Sequence, residues 1–525
     1  MAAASASLPM PSAVPVVNPW VVAIAVMFGT FMEVLDTTVV NVSLPHIAGT
    51  LSATPEEATW TLTSYIIANA IVLPLTGWLT GLFGRKRLLM VAVAGFTIAS
   101  ILCGAAPTLG SLVVFRIIQG ATGGCLQPLS QSVLLETFAP QERGKAMAFW
   151  SVGIIVAPIL GPILGGWITE NYSWRWIFYI NVPVGLMSLF MLKTFLHDPP
   201  NLNVGISKKV DGWGIGFLVL GIGALQWLLD KGQTEDWFDS SRIILAAVVA
   251  VAAIVAFIVR ELLADDPVVR LRIFKDPTYA TGTFLITVLG FVLYGSLVIL
   301  PIFLQTMMRY PAIEAGFATA PRGIGAFIMM PIAGLLVNKV DPRKLLALGI
   351  VTASTSLLYF STINQNAGYW NIFWPQFVQG VSLGLIFLPL STVTMFNLRR
   401  EDLRYATSMF NLMRNLGGSI GIAAGTALIS RATQRHYNQL GERINEYNPQ
   451  AAGMIQQMQQ TFMATGMDAA AATERAYAMV SGMVTQQAMM VAYLDTFRLY
   501  GLVFLFAIPL IFLLRRPKAP PTQSS

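Results

Sequence analysis

The chain of 525 residues is strongly apolar: hydrophobic residues make up 55% of it and charged residues only 11%, whereas soluble domains carry roughly 25% charged residues. With a mean hydropathy of +0.64, this composition excludes an ordinary soluble protein and predicts a chain that crosses a membrane many times. The formal net charge is +7, but the Lys and Arg residues cluster on one side of the predicted spans, so they indicate topology and no nucleic-acid partner.

Apolar runs of about twenty residues, the length that crosses ~30 Å of hydrocarbon, occur fourteen times. They begin near Val21, Trp60, Leu88, Leu112, Met147, Trp176, Trp213, Ile243, Thr278, Ala315, Leu345, Asn371, Ala406 and Phe497. Most basic clusters fall on the inner side if the N-terminus is cytoplasmic. We therefore expect an all-α polytopic membrane protein with both termini cytoplasmic, a disordered tail at 1–19 and a cytoplasmic tail at 516–525.

The sequence also repeats itself. The segment at 115–120 recurs at 375–380, and the glycines of the thirteenth span repeat the small-residue stripe of the fifth. Two homologous bundles are typical of secondary transporters. We predict an N-terminal six-helix bundle at 20–200, two extra central spans with their linkers at 201–272, and a C-terminal six-helix bundle at 273–515. The last bundle includes an outer helical segment at 431–495.

Two carboxylates lie within the first predicted span. Glu33 and Asp36 are three residues apart and therefore share a helical face. A charged side chain at the centre of a span costs roughly 2.5–3.5 kcal/mol, so it is a functional hypothesis by default. Arg116 in the fourth span is expected at the same height as Asp36, and we predict a charge pair. We interpret the three residues as a proton-coupling group, in which either carboxylate could carry the proton. A purely structural ion pair is the alternative.

Two further cations lie inside predicted spans, Arg322 in the tenth and Arg414 in the thirteenth. Because lipid exposure of a charge is costly, each is expected to face a cavity or to pair with backbone carbonyls. With Gln119 and Asn41 they form the predicted set of possible substrate-cavity residues. The sequence contains no phosphate-binding G-x-x-x-x-G-K-[ST] motif, which argues against ATP as the energy source. The three histidines lie near no other potential ligands, so we predict no metal or cofactor site.

The fifth span contains the pattern G-x-x-x-A-P-x-x-G-P-x-x-G-G. Its members are Gly153, Ala157, Pro158, Gly161, Pro162, Gly165 and Gly166. Small residues four apart line one helix face and allow two helices to pack closely. By itself this pattern indicates only an ordinary helix–helix interface. The full pattern resembles the fifth-helix antiporter motif of drug exporters in the major facilitator superfamily, with alanine at position 157 where glycine is usual. The segments 35–42 and 174–183 are likewise similar to segments of the fourteen-span exporters.

Taken over nearly the whole chain, the sequence resembles the EmrB group (EmrB/QacA type) of fourteen-span drug:proton antiporters. The resemblance implies a major facilitator fold with two six-helix bundles plus two central helices. It also implies a bacterial inner-membrane (plasma-membrane) exporter of small hydrophobic compounds that is driven by the proton gradient. A periplasmic adaptor (EmrA-like) and an outer-membrane channel are the implied partners. The alternatives are export of one physiological lipid or metabolite, and a non-transporting sensor or scaffold. An enzyme is not expected, because no cluster of catalytic groups is visible.

Overall fold

The computed structural model describes residues 18–514 except 140–141, 198–210, 265–266, 338, 400, 443 and 445–447. The predicted tail at 1–19 lies outside the described residues except for Asn18 and Pro19, and the predicted tail at 516–525 lies outside them entirely. Pro19 begins the first helix and Asn18 caps it. The Asn18 side chain accepts a hydrogen bond from the Trp20 amide at 3.0 Å, and proline is favoured in a first helical turn.

All regular elements in the described part of the chain are helices, and we number the long ones in chain order. The first six are α1 (Pro19–Thr50), α2 (Trp60–Phe83), α3 (Arg85–Ala105), α4 (Leu109–Gly123 and Leu126–Thr137), α5 (Arg143–Asn171) and α6 (Trp176–Tyr179 and Asn181–Phe195). The next six are α7 (Gly212–Lys231), α8 (Ser241–Leu263), α9 (Pro277–Thr306), α10 (Ala312–Thr319 and Pro321–Leu336), α11 (Pro342–Phe360) and α12 (Tyr369–Phe396). The last three are α13 (Leu403–Gly441), α14 (Pro449–Ala464) and α15 (Ala469–Ala507).

Among the described residues, twelve helices are long and apolar enough to cross a membrane, namely α1 to α10, α12 and α15. The two other predicted spans are the helices α11 and α13, which form where the sequence places them but are less apolar. Helix α13 buries polar side chains along its length, including Asn411 and Arg414. The fold is therefore that of an all-α polytopic membrane protein, and fourteen spans are compatible with it.

The helix packing repeats in the two halves of the chain. Helix α1 packs on α5 and α2 on α4, and in the second half α9 packs on α13 and α10 on α12. The small-residue stripes lie in the first kind of contact. A Cβ atom added at Gly161 would meet Thr38 of α1, and one added at Gly421 would meet the backbone of Phe291 in α9. Both stripes therefore bring two helices into close contact, as the packing of spans in a membrane requires.

The two ends of the bundle differ. We call the end that carries Trp20 the terminal end and the opposite one the distal end. The Trp20 ring contacts the rings of Phe138 and Phe149 at centroid distances of 5.1 and 6.0 Å. At the distal end, α13 continues to Gly441, α14 packs on α15, and Asp468 caps α15 by accepting a hydrogen bond from the Ala471 amide at 2.9 Å.

The helices α7 and α8 pack on each other, and α7 also contacts α2 and α13.

Candidate functional site

The two halves of the bundle meet directly at the terminal end. A Cβ atom added at Gly77 in α2 would lie 2.8 Å from the ring of Tyr405 in α13. A Cβ atom added at Gly144 in α5 would lie 2.6 Å from Val337, which directly follows α10. There is no room for a side chain at either crossing, so the two halves close the terminal end.

Between the halves, towards the distal end, lies a cavity of about 340 Å³. Its wall is mostly apolar, with a small number of polar side chains, which is the composition expected of a small-molecule site. The polar members from the first half are Glu33, Thr37, Thr38, Asn41, Tyr65, Asn69, Arg116 and Gln127, and those from the second half are Tyr294, Thr319, Arg322, Asn415 and Ser419. The helix α7 adds Gln226. Both prolines of the predicted antiporter motif, Pro158 and Pro162, also line it.

Asp36 lies behind this wall in a fully buried ion pair. The Arg116 guanidinium donates to Asp36 Oδ2 at 2.5 Å, and neither side chain is exposed to solvent. The other carboxylate oxygen accepts hydrogen bonds from Gln119 at 3.0 Å and from Asn181 at 2.8 Å. The guanidinium also donates to the Thr61 carbonyl at 2.9 Å. The predicted charge pair between the first and fourth spans is therefore present. Both carboxylate oxygens of Asp36 accept hydrogen bonds, whereas the Nη2 atom of Arg116 is buried without a partner.

Glu33, one helical turn away, lies in a different environment. It lines the cavity and is held by side-chain amides: Asn69 donates to Oε1 at 3.1 Å and Gln127 to Oε2 at 2.7 Å. The Gln127 carbonyl in turn accepts a hydrogen bond from Arg414 of α13. No ion pair involves Glu33 among the described side chains. The hydrogen bonds from Arg414 to Gln127 and from Gln127 to Glu33 therefore connect the two halves through a neutral amide.

Arg322 forms the polar centre of the second half. Its guanidinium donates to the side-chain carbonyl of Gln376 at 3.0 Å, to that of Gln379, and to the Ser296 hydroxyl at 3.4 Å. No carboxylate lies within ion-pair distance of it in the described part of the chain. Its Nη1 atom is buried without a hydrogen-bond partner, although the side chain lines the cavity. Arg322 therefore presents an uncompensated positive charge to the cavity.

The predicted cavity residues separate into two groups. Asn41 and Arg322 line the cavity. Gln119 and Arg414 lie one layer behind it, because Gln119 is fully buried on Asp36 and Arg414 binds Gln127. The amides that hold Glu33 and Arg322 were not among the predicted site residues, and neither was Gln226. Of these, only Gln379 carried a visible signal, since it repeats Gln119 in the second half.

The predicted antiporter motif forms the contact between α5 and α1. A Cβ atom added at Gly165 would lie 2.9 Å from the carbonyl oxygen of Val39, and one added at Gly153 would lie 3.0 Å from the Met27 side chain. Ala157 is fully buried, whereas Gly166 has only Val42 within 4 Å, at 3.9 Å. The motif thus places the α1 backbone, with both of its carboxylates, directly beside α5.

Comparison with known proteins gives a consistent result. The family described as Major Facilitator Superfamily matches residues 26–422. The multidrug export protein EmrB of Haemophilus influenzae is 42% identical over 439 residues, which cover 83% of this chain and 86% of the relative. EmrB of Escherichia coli (strain K12) is 38% identical over 498 residues, 95% of each chain. The fatty acid resistance protein FarB of Neisseria gonorrhoeae is 37% identical over 497 residues, 94% and 96% of the two chains.

Two solved structures share the fold. A double-tryptophan mutant of XylE superposes with a TM-score of 0.63 at 14% identity, covering 96% of this chain and 97% of the other. The human organic anion transporter MFSD10 gives a TM-score of 0.62 at 11% identity, covering 94% and 99%. At these identities the likeness concerns the fold alone.

Proposed function

The chain belongs to the major facilitator superfamily and, within it, to the EmrB-type drug:proton antiporters, and from this premise we propose that it exports hydrophobic toxic compounds in exchange for protons. The observation that carries the proposal is the cavity between the two halves, which has an apolar wall, a carboxylate at Glu33 and a closed terminal end. A secondary transporter of this kind works by rocking one half against the other around a central site.

The proposal includes the membrane in which the protein resides and its orientation there. It resides in the bacterial inner membrane with both termini in the cytoplasm, so that the terminal end is cytoplasmic and the cavity lies on the periplasmic side of the closed contact. In this orientation the described conformation faces outward. The proton gradient supplies the energy, and no cofactor takes part. The alternative of a sensor or scaffold gives no reason for an apolar cavity with buried polar groups that both halves line.

The coupling group consists of Asp36, Arg116 and Glu33. Glu33 reaches the cavity, whereas Asp36 is sealed behind it by Arg116, Gln119 and Asn181. We assign the exchanged proton to Asp36, because neutralising that carboxylate releases Arg116 and so links the proton to a change in helix packing. Glu33 is the carboxylate at which protons from the cavity arrive.

Dye efflux from proteoliposomes under an imposed pH gradient tests the proposal. The wild-type protein should move several unrelated hydrophobic dyes only when the gradient is present. Gradient-independent movement, or no movement of any dye, would contradict proton-coupled multidrug export.

The coupling assignment is tested by Asp36→Asn, compared with Glu33→Gln at equal protein level. Asp36→Asn should insert normally and still bind dye, yet lose efflux driven by the pH gradient, because an amide cannot exchange a proton. Full drug resistance of cells that carry Asp36→Asn would refute the assignment and leave Glu33 as the candidate.

Export of one amphipathic acid is a second candidate function. Two observations favour it: the uncompensated charge of Arg322 at the cavity, and the similarity to a relative named for fatty acid resistance. Competition in the same assay separates the two functions. A multidrug exporter is inhibited by chemically unrelated dyes, whereas a specific exporter is inhibited only by long-chain acids.

The distal segment at 431–495 is proposed to dock a periplasmic adaptor, which in turn joins an outer-membrane channel. Transport within one membrane does not need this segment, whereas α14 and the start of α15 form an ordered helical pair outside the predicted spans. Several of its exposed side chains are methionines, including Met454, Met463 and Met479, and methionine suits adaptable protein contacts.

Replacing residues 442–468 by a short Gly/Ser linker tests this docking site. Efflux in proteoliposomes should survive, while drug resistance of whole cells and co-purification of the adaptor are lost. A linker variant in the distal loop 233–239 is the matched control and should retain all three. Adaptor co-purification that persists without residues 442–468 would place its binding site elsewhere.

A further inference from the structure

We infer that Gln226, on the first of the two central helices, contacts the transported compound and donates a hydrogen bond to an acceptor atom on it. The inference rests on the proposed transport function and adds a chemical requirement to it. It also assigns a part in cargo selection to α7, which lies outside the internal repeat.

Gln226 lies on α7, outside the internal repeat, and faces the cavity. Its side chain is only 3% exposed and lines the cavity together with residues from both halves. Its amide nitrogen Nε2 is buried without any hydrogen-bond partner. Burying an unpaired amide donor is unfavourable, so a donor kept unpaired beside a cavity indicates that a group from outside the protein pairs with it.

The packing of α7 explains why Gln226 is held there. Near the distal end, Asp230 accepts a hydrogen bond from Thr63 at 2.6 Å, and Lys231 donates to Thr59 at 2.9 Å. Both bonds fasten α7 to the start of α2. The contact of α7 with α13 is apolar, through Leu218 and Ile222 among others. Gln226 therefore keeps a fixed place relative to α2, and its orientation does not depend on polar contacts with the second half.

Other unpaired donors belong to residues that line the same cavity, namely the Tyr65 hydroxyl, Nη2 of Arg116 and Nη1 of Arg322. Together with Gln226 they favour cargo that combines an apolar body with hydrogen-bond acceptors. The contributions of the arginines can be separated from that of Gln226 by charge, since a neutral acceptor such as a ketone gains little from an arginine charge. A neutral ketone is therefore the appropriate probe for Gln226.

The test compares the binding of two neutral naphthalene dyes to purified protein in nanodiscs, with protein-free nanodiscs as background. Prodan carries one ketone, and dimethylaminonaphthalene is the same fluorophore without it. Gln226→Leu should weaken prodan binding by about three- to tenfold, the value of one neutral hydrogen bond, and leave dimethylaminonaphthalene binding unchanged. The emission of bound prodan should also shift to the blue, because its ketone loses a hydrogen bond.

Gln131→Leu is the matched control. Gln131 is also a buried glutamine with an unpaired Nε2 atom, but it does not line the cavity. Its substitution should leave both affinities and the prodan emission unchanged. Equal affinity losses for both dyes in Gln226→Leu, or an unchanged prodan spectrum, would overturn the inference. A wild-type protein that binds neither dye would instead contradict the proposed hydrophobic cargo site.

Discussion

The two halves of the bundle each bury an arginine beside the same cavity, and they stabilise its charge differently. In the first half, Arg116 pairs with the carboxylate of Asp36. In the second half, Arg322 is surrounded by the amide side chains of Gln376 and Gln379 and by a hydroxyl. One half thus buries a neutral ion pair and the other a net positive charge.

The internal repeat explains why Arg116 and Arg322 have different partners. Gln376 occupies the repeat position of Arg116, and Gln379 that of Gln119. At the offset that relates Pro45 to Pro301, the counterpart of Asp36 is Val292, which is fully buried. The second half therefore has no carboxylate at the position that corresponds to Asp36, and its arginine lies on a different helix. Among the described residues that line the cavity, the carboxylate belongs to the first half, and an arginine without a carboxylate partner belongs to the second.

The largest effect is expected from Arg116→Met. Removing the cation leaves Asp36 buried without compensation, which should lower the free energy of unfolding by about 3–5 kcal/mol. Thermal unfolding of the purified protein in detergent measures the loss. The double variant Arg116→Met/Asp36→Asn should recover much of it, because no buried charge is left. A double variant as unstable as the single one would show that packing, not charge, causes the loss.

Gly421→Ala should have a smaller effect. The new Cβ atom would lie 2.0 Å from the carbonyl oxygen of Phe291, and such overpacking typically costs about 1–3 kcal/mol. Its repeat counterpart Gly161 would meet the Thr38 hydroxyl at the same distance and the Thr38 Cβ atom at 2.6 Å. Because a Cβ atom cannot rotate away, Gly161→Ala should cost about as much as Gly421→Ala. Gly166→Ala is the control and should be neutral, since the nearest atom would lie at 3.9 Å. A neutral effect of either Gly161→Ala or Gly421→Ala would contradict the close helix contact at that position.

The smallest effect is expected from Arg322→Met, the same substitution in the second half. No buried carboxylate loses its partner, and replacing a buried charge by an apolar side chain is often neutral, so the free energy of unfolding should change by less than about 1 kcal/mol. The same thermal unfolding assay measures it. A loss as large as that of Arg116→Met would mean that Arg322 has a counterion and that the two halves are alike.

The charged residues of the site could be predicted from the sequence. The pair Asp36–Arg116 could be predicted because charges inside spans are costly and helical rise places the two side chains at one height. The partners of Glu33 and the position of Gln226 could not be predicted. Neutral amides occur in many spans, and only the crossing of α1, α2, α4 and α7 decides which of them meet.

The fold could be predicted more completely than the site. All fourteen predicted span starts fall within or close to a helix, because the length of an apolar run is set by the membrane. The least apolar case, α13, is still predicted as one of the fourteen apolar runs, and its glycines repeat those of the fifth span. The different surroundings of Glu33 and Asp36 could not be predicted from their spacing. Three residues on a helix span nearly one turn, so a shared face still allows one side chain to point into the cavity and the other behind it.

The length of α13 has a mechanical consequence. From Arg414, which binds Gln127 of the first half, to its last residue Gly441, the helix forms an arm of about 40 Å at 1.5 Å per residue. If this arm pivoted at Arg414 by about 10°, its tip would move by about 7 Å. A rigid helix of this length would convert a small rearrangement of hydrogen bonds beside the cavity into a much larger displacement of its distal tip.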